Sequence, residues 1–379
     1  MENTSPHIMI IAGEASGDLH AAHLVDAIKQ RRPQITFSGL GGPHMRQSGV
    51  HLYADITRWA IIGFTEVIRH YGHIKRLFDL MIKKTEEIRP AAVILVDYPG
   101  FNLRLAKRLK SKGHKVIYYI SPQVWAWKEK RVETIREVTD KMLVLFAFEK
   151  DFYARRGVDV TCVGHPLVDR IPSSIPSAQA RSTLGLSSQG PVIGILPGSR
   201  TREIETLLPP MLEAAGLIKK KIQDAQFVLI QAPTIGHETL EKYKRLSPVP
   251  LTLVPYEDYQ GLQACDACMV ASGTATLETA LLQKPMVVVY KTSFLTWVLA
   301  KLFIKIPCIG LVNVVAREKI VPECVQFQAK GKNIAQALLP FLLSDDQRAL
   351  VISRLGEVKG SLGPGGASGR AADEVLKII

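Results

Sequence analysis

The chain has 379 residues, 47% hydrophobic and 22% charged, which excludes a disordered or fibrous protein and is too long for one ordinary core, so two domains are expected. A net charge of +13 gives a surface that attracts polyanions, whether nucleic acid, anionic lipid head groups or phosphorylated substrates, and does not choose among them. Residues Met1 to His7 carry an acid at Glu2 and no basic region, and the apolar run Ile8 to Ala12 is too short for a signal peptide or a membrane span; a cytoplasmic protein is the expectation.

That first run reads as a strand, and Gly13, Glu14, Ala15, Ser16, Gly17 and Asp18 follow it. Glycines there let backbone approach a ligand, and the next helix offers unpaired N–H donors for an anion; a tight turn capped by Ser16 or Asp18 explains the same residues. Ala21, Leu24, Val25 and Ile28 then recur at helical spacing. Gly39 to Gly42 fails the dinucleotide fingerprint, since His44 stands where its last glycine would be, and no Walker pattern occurs. Ile61 to Lys84 mixes apolar and basic residues as an interfacial helix would, or as a solvated core helix would.

Ala92 to Val96 is the next strand, and Asp97 at its C-terminal end is placed to act as a general base, or else as a turn or capping residue. Val116 to Ile120 leads into Ser121 to Trp127, where Gln123, Trp125 and a second indole suit either a platform for a sugar or acyl chain or packing between domains. Met142 to Phe146 and Thr161 to Val163 complete a set of apolar runs without alternation, the mark of parallel strands covered on both faces.

Ile171 to Gly190 is rich in Ser, Pro, Gln and Gly and reads as a linker, after which Val192 to Leu196, Phe227 to Ile230, Ala267 to Ala271 and Met286 to Tyr290 restart the same pattern. The fold class is therefore α/β, two doubly wound Rossmann-like domains with a cleft at the carboxyl ends of their strands, where substrate is expected. Gly198, Ser199 and Arg200 end a strand and open a helix, an arrangement for holding a diphosphate and its growing charge, or an ordinary capped turn. Ser272, Gly273 and Thr274 would let a nucleotide lie against the backbone, and Glu278 would accept both ribose hydroxyls, unless it only complements the helix dipole.

Five cysteines leave one unpaired under any full pairing; Cys265 and Cys268 have metal-ligand spacing but no companion pair, so buried thiols are expected and no metal. Ser293 to Leu311 is apolar but interrupted by Lys301 and Lys305, which argues against a span and for an interfacial position of Trp297 and Phe303, with a core helix as the alternative.

The stretches AGEASGD, GFTEV, VDYPGFN, SPQVWAWK, VGHPL, LPGSR, SGTATLE, and Asn313 with VPECVQ, together resemble the lipid-A-disaccharide synthase family from near residue 8 to residue 326. The resemblance implies a GT-B fold and an inverting transfer from UDP-2,3-diacylglucosamine to 2,3-diacylglucosamine 1-phosphate at the cytoplasmic face of the inner membrane, with no metal or cofactor. It implies Asp97 as base, Arg200 and Glu278 as donor-site residues, and Asn313 and Gln326 as further donor contacts; Glu14, Ser16, Gly17, Asp18, Gln123 and Trp125 remain acceptor or loop candidates. Cys324 and Val325 stand where the family's motif usually has an aliphatic pair, a conservative departure in size. Residues 1–170 would be the acceptor- and membrane-facing domain, 190–344 the UDP-sugar domain, and a C-terminal helix from about 345 to 379 would pack back on the first. The family includes dimers that exchange C-terminal segments, for which the glycine-dense stretch before Gly369 would be the hinge; a monomer stays open.

Two competing readings remain. A GT-B UDP-sugar 2-epimerase would leave the amphipathic stretches idle, because its substrates are soluble. A nucleic-acid-binding protein would use the charge, but the basic residues are dispersed and no zinc module, RNA-recognition signature or Arg-rich tract accompanies them.

Overall fold

The computed structural model describes residues 6–56, 64–127, 129–171, 175–256, 259–293, 297 and 308–379. Two compact units result, Met1–Asp169 with Leu362–Ile379, and Arg170–Ser361. The first holds β1 (His7–Ala12), β2 (Thr36–Gly41), β3 (His51–Asp55), β4 (Ala92–Val96), β5 (Val116–Tyr119), β6 (Lys141–Val144) and β7 (Val160–Cys162), all parallel in the order β3-β2-β1-β4-β5-β6-β7. The second holds β8 (Val192–Leu196), β9 (Gln226–Gln231), β10 (Thr252–Pro255), β11 (Ala267–Ala271), β12 (Met286–Tyr290) and β13 (Glu323–Val325), parallel in the order β10-β9-β8-β11-β12-β13. Each is a Rossmann-like sheet in which the chain winds outward from a central strand in both directions.

Successive residues of a strand point to opposite faces, and the first sheet divides its apolar residues accordingly. Ile8, Ile10 and Ala12 of β1 join Ala92, Ile94 and Val96 of β4 in one core, while Met9, Ile11, Val93 and Leu95 join the other. Helix Ala15–Arg31 covers the first core with Ala21, Leu24, Val25 and Ile28, all fully buried. Ala371, Ala372 and Val375 of helix Ala367–Leu376 complete that same core.

The strands at the sheet centres fall where apolar runs lie, and the differences have local causes. β2 and β3 were not expected: Ser38, Gly39 and Gly41 break the apolar run, yet a Cβ at Gly39 would sit 1.7 Å from the Ile10 carbonyl oxygen, so only glycine lets β2 pair beside β1 there. The short edge strands β10 and β13 were also not expected. β5 stops at Tyr119 because Ile120 turns into the left-handed region with φ 65°.

The stretch 171–190 is not a free linker: helix Ser177–Thr183 belongs to the second unit, where Arg181 pairs with Asp266 at 2.6 Å and Ser177 Oγ donates to the Gln263 carbonyl. Nor does the whole C-terminal stretch from 345 return to the first unit. Helix Asp345–Ser361 stays with the second, packed on helices Ala275–Leu281, Leu311–Ala316 and Gly331–Leu343, and the return begins at Leu362.

Candidate active site

In the first unit the β4 strand ends on two consecutive non-glycine residues in the left-handed region, Asp97 (φ 46°) and Tyr98 (φ 48°). Such conformations cost on the order of 1–2 kcal/mol each and persist only where surroundings over-determine them. Here the Asp97 amide donates to the Tyr119 carbonyl at 3.0 Å, and the Asp97 carbonyl accepts from Tyr118 Oη at 2.6 Å and Asn102 Nδ2 at 2.8 Å. The backbone beneath the carboxylate is thus pinned from three sides.

The Tyr98 ring lies against Gly13, where a Cβ would stand 2.2 Å from it, so the loop after β1 meets the loop after β4 only because residue 13 is glycine. That contact brings Glu14 near Asp97. Burial first, then the Glu14 charge, push the Asp97 carboxyl up to about 6, with the Tyr98 backbone N–H pulling the other way. A carboxylate that takes up a proton near neutral pH is suited to general-base work.

The other candidates of the loop after β1 divide. Glu14 precedes helix Ala15–Arg31 as its N-cap and makes no side-chain cap bond, so neither Ser16 nor Asp18 caps that helix. Ser16 is exposed, and Gly17 is buried beside Ala12 and Val96. Asp18 is buried, and its carboxylate accepts from the Gly42, His44 and Met45 amides at 2.6, 2.9 and 3.1 Å. Those amides open the short helix Pro43–Gln47, so Asp18 caps a neighbouring element and both its oxygens are spent inside the fold.

Gln123 is exposed, whereas Trp125 is half-buried in the one-turn helix Val124–Trp127. Its Nε1 donates to Glu149 Oε1 at 3.2 Å and its ring meets Phe148 edge-on at 5.0 Å. Glu149 was not singled out from the sequence. It also accepts from Ser121 Oγ at 2.7 Å and from the Phe146 amide, and burial pushes it up to about 7 despite these donors. The carboxylate ties the loop after β5 to the loop after β6. In sequence it shows only as an acid at the start of helix Ala147–Ala154, where dipole complementarity explains it.

In the second unit Gly198 has φ +113°, and its missing Cβ leaves room for the Glu203 carboxylate. Glu203 Oε2 accepts from the Ser199 amide at 2.9 Å, and Oε1 lies 3.3 Å from Arg200 Nη1. These are donors that the sequence assigns to a diphosphate, so the loop's affinity for a negative group is exercised by the protein's own carboxylate.

Glu278 lies in the first turn of helix Ala275–Leu281, buried, accepting from Tyr259 Oη at 2.8 Å. Burial pushes it up to about 7, and the positive charge of Arg170 acts against the rise. Nearby, Ser272 Oγ donates to the Ile309 carbonyl and Thr274 is the exposed N-cap of the same helix, while a side chain at Gly273 would meet open space.

Asn313 is fully buried: Nδ2 donates to the Val321 carbonyl and Glu323 Oε1, both at 2.9 Å, and Oδ1 accepts from the Val321 amide. Gln326, itself left-handed with φ 54°, exchanges two hydrogen bonds with the Thr292 backbone. Both amides therefore brace the segments leading into and out of β13.

Among the described residues no cluster of three or more His, Cys, Asp and Glu could hold a metal ion. Cys265 and Cys268 are buried, and both sulfurs lie against Gly194. Trp297 meets the exposed Phe327 edge-on at 5.3 Å; Lys301, Phe303 and Lys305 lie outside the described residues, as do residues 61–63 of the earlier amphipathic stretch.

Solved structures with similar folds include an enzyme described as a putative UDP-N-acetylglucosamine 2-epimerase from Listeria monocytogenes (TM-score 0.63, 12% identity, covering 98% of this chain and 95% of that one). They also include CalG4, the calicheamicin glycosyltransferase (TM-score 0.63, 12% identity, 100% and 98%). At this identity they establish the GT-B type of fold and leave epimerase and transferase equally open. Sequence relatives decide the family. The lipid-A-disaccharide synthase of Myxococcus xanthus is 41% identical over 374 residues, 99% of this chain and 98% of that protein. That of Geobacter sulfurreducens is 42% identical over 378 residues, 100% and 98%. The family described as lipid-A-disaccharide synthetase matches residues 8–359, and the chain belongs to it.

Proposed function

We propose that the protein is an inverting glycosyltransferase that moves 2,3-diacylglucosamine from UDP-2,3-diacylglucosamine to 2,3-diacylglucosamine 1-phosphate, giving the lipid A disaccharide 1-phosphate and UDP. Asp97 takes the proton of the acceptor hydroxyl as its oxygen attacks the anomeric carbon. The bond from that carbon to the diphosphate breaks on the opposite side, and UDP leaves carrying the electron pair. Gly198, Ser199 and Arg200 hold the diphosphate and offset its growing charge, and Glu278 accepts the ribose hydroxyls. The observation that carries this reading is Asp97, a carboxylate on a pinned, strained turn whose affinity for a proton lies near neutrality. Asn313 and Gln326 serve the donor by bracing the backbone, since their amides already hold protein partners.

Substrates with acyl chains do not leave a bilayer readily, so the enzyme meets them at the cytoplasmic surface of the inner membrane. Among the described residues no helix is long and apolar enough to cross a membrane; the positive charge and the Trp297–Phe327 pair support peripheral contact. A dimer formed by C-terminal exchange would use the contacts that Leu362–Ile379 makes here, among them Arg31 with Asp373. UDP release measured with the acylated donor and acceptor tests the activity. Release that requires the acceptor and yields the disaccharide supports it, whereas a C2-epimerised donor without transfer would return the reading to an epimerase.

A further inference from the structure

Glu278 is the buried carboxylate of the second unit that the donor reading depends on, and it is not held by its own helix. Its described hydrogen-bond partner is the hydroxyl of Tyr259, from the segment between β10 at the sheet edge and the helix Gln260–Ala264. Tyr259 is itself buried and fixed. Its backbone is left-handed (φ 57°, ψ 2°), its carbonyl accepts from the Gln263 amide at 2.9 Å, and its ring tilts against Tyr256 with centroids 5.7 Å apart. Gly261 packs closely enough that a Cβ there would meet Val254 and Ile230 at 3.2 and 3.4 Å, which seats the turn against the sheet. A non-glycine residue is thus held in a costly backbone conformation, and its side chain ends on the Glu278 carboxylate.

We infer that Tyr259 is a positioning residue for the nucleotide-sugar donor: its hydroxyl occupies one oxygen of Glu278 and fixes the carboxylate so that the other oxygen accepts the donor's vicinal ribose hydroxyls. This rests on the donor-site reading of Glu278 given above. No described residue donates to the second oxygen of Glu278. The physical need for the tyrosine is plain. A carboxylate is a better acceptor for two hydroxyls than a carboxylic acid, burial favours the acid, and a hydroxyl donating to the charged form shifts the balance back toward the carboxylate. Among the described residues the positive charge of Arg170 favours the ionised form of Glu278, and the hydrogen bond that Tyr259 Oη donates at 2.8 Å favours it as well.

Calorimetric titration of the full chain with UDP and with 2′,3′-dideoxy-UDP, across pH, isolates the hydroxyl contribution. For the unsubstituted protein the preference for UDP should grow as pH rises through about 7, where burial places Glu278. Tyr259→Phe removes only the hydroxyl. It should weaken UDP about 10-fold, the scale of one hydrogen bond to a charged group, leave dideoxy-UDP within about twofold, and move the rise in preference to higher pH. Equal loss of both ligands would mean general damage to the unit and overturn the inference, as would an unchanged preference and midpoint. Glu278→Gln separates the two levels. If it keeps the preference for UDP, the donor reading itself fails; if it abolishes the preference while Tyr259→Phe preserves it, the donor reading stands and the role of Tyr259 falls.

Discussion

Asp97→Asn should produce an enzyme that is more stable and nearly inactive. Burial and Glu14 raise the Asp97 carboxyl from 3.8 to about 6, which corresponds to about 3 kcal/mol. The native state binds the proton more tightly than the unfolded chain, so stability falls as pH rises from about 4 to about 6, and the full cost is present above that window. Asparagine keeps the shape and carries no charge, so the variant should gain up to about 3 kcal/mol near pH 8 and about half of that near pH 5. Turnover should fall by roughly 10²- to 10⁴-fold, the usual contribution of a positioned general base, with UDP affinity unchanged. Urea denaturation followed by tryptophan fluorescence, to which Trp125 of the same unit contributes, gives the stability difference at both pH values; UDP release gives turnover. A variant no more stable near pH 8 would refute the burial argument, and one with near-normal turnover would remove Asp97 as the base.

Four further outcomes follow from other parts of the molecule. Gly13→Ala places a methyl carbon 2.2 Å from the Tyr98 ring; it should displace the Asp97 turn and cut turnover at least about 10-fold while UDP binding persists, and normal turnover would show that the ring moves freely. Glu203→Gln releases Arg200 and the Ser199 amide from a competing carboxylate and should tighten UDP binding about 2- to 5-fold, the worth of an exposed ion pair, whereas Arg200→Ala weakens it; weaker binding in the glutamine variant would make Glu203 a brace for the loop. Chelation with EDTA should leave activity intact, because leaving-group charge is assigned to Arg200 and backbone donors; loss restored by magnesium would contradict that. Raised salt should partly release the protein from anionic vesicles, and Trp297→Ser with Phe327→Ser should weaken the part that persists, with vesicle sedimentation as the measure and identical curves as the refutation.

Most of both sheets could be read directly from the sequence, because a parallel strand covered on two faces needs an unbroken apolar run, as in Ala92–Val96 and Val192–Leu196. β2 escaped because its requirement is the opposite one, absence of side chain at Gly39, where the Ile10 carbonyl fills the space. At the candidate site, Asp97 and Glu278 could be placed by their position at strand and helix ends. Asp18, Asn313 and Gln326 could be placed but not interpreted, because their partners at Gly42, Val321 and Thr292 are set by tertiary packing. Glu149 and Tyr259 were invisible for the same reason: each acts through a residue about twenty positions away, on a helix that follows another strand.

The return of Leu362–Ile379 to the first unit has a consequence for how the protein is made. Ala371, Ala372 and Val375 are part of the core that Ile8 and Ile10 belong to. Arg370 braces the Val163, Pro364 and Gly365 carbonyls, and Asp169 accepts from the Gly366 and Ala367 amides. The unit synthesised first therefore lacks one wall until Leu362–Ile379 has left the ribosome, whereas the second unit has its whole sequence by Ser361. Folding during synthesis favours completion of the later-made unit before the earlier one. A chain cut short near residue 361 would carry a finished second unit and a first unit with its apolar face open, a lesion that uncovers the core of Ile8 and Ile10 while leaving every residue of the donor site in place.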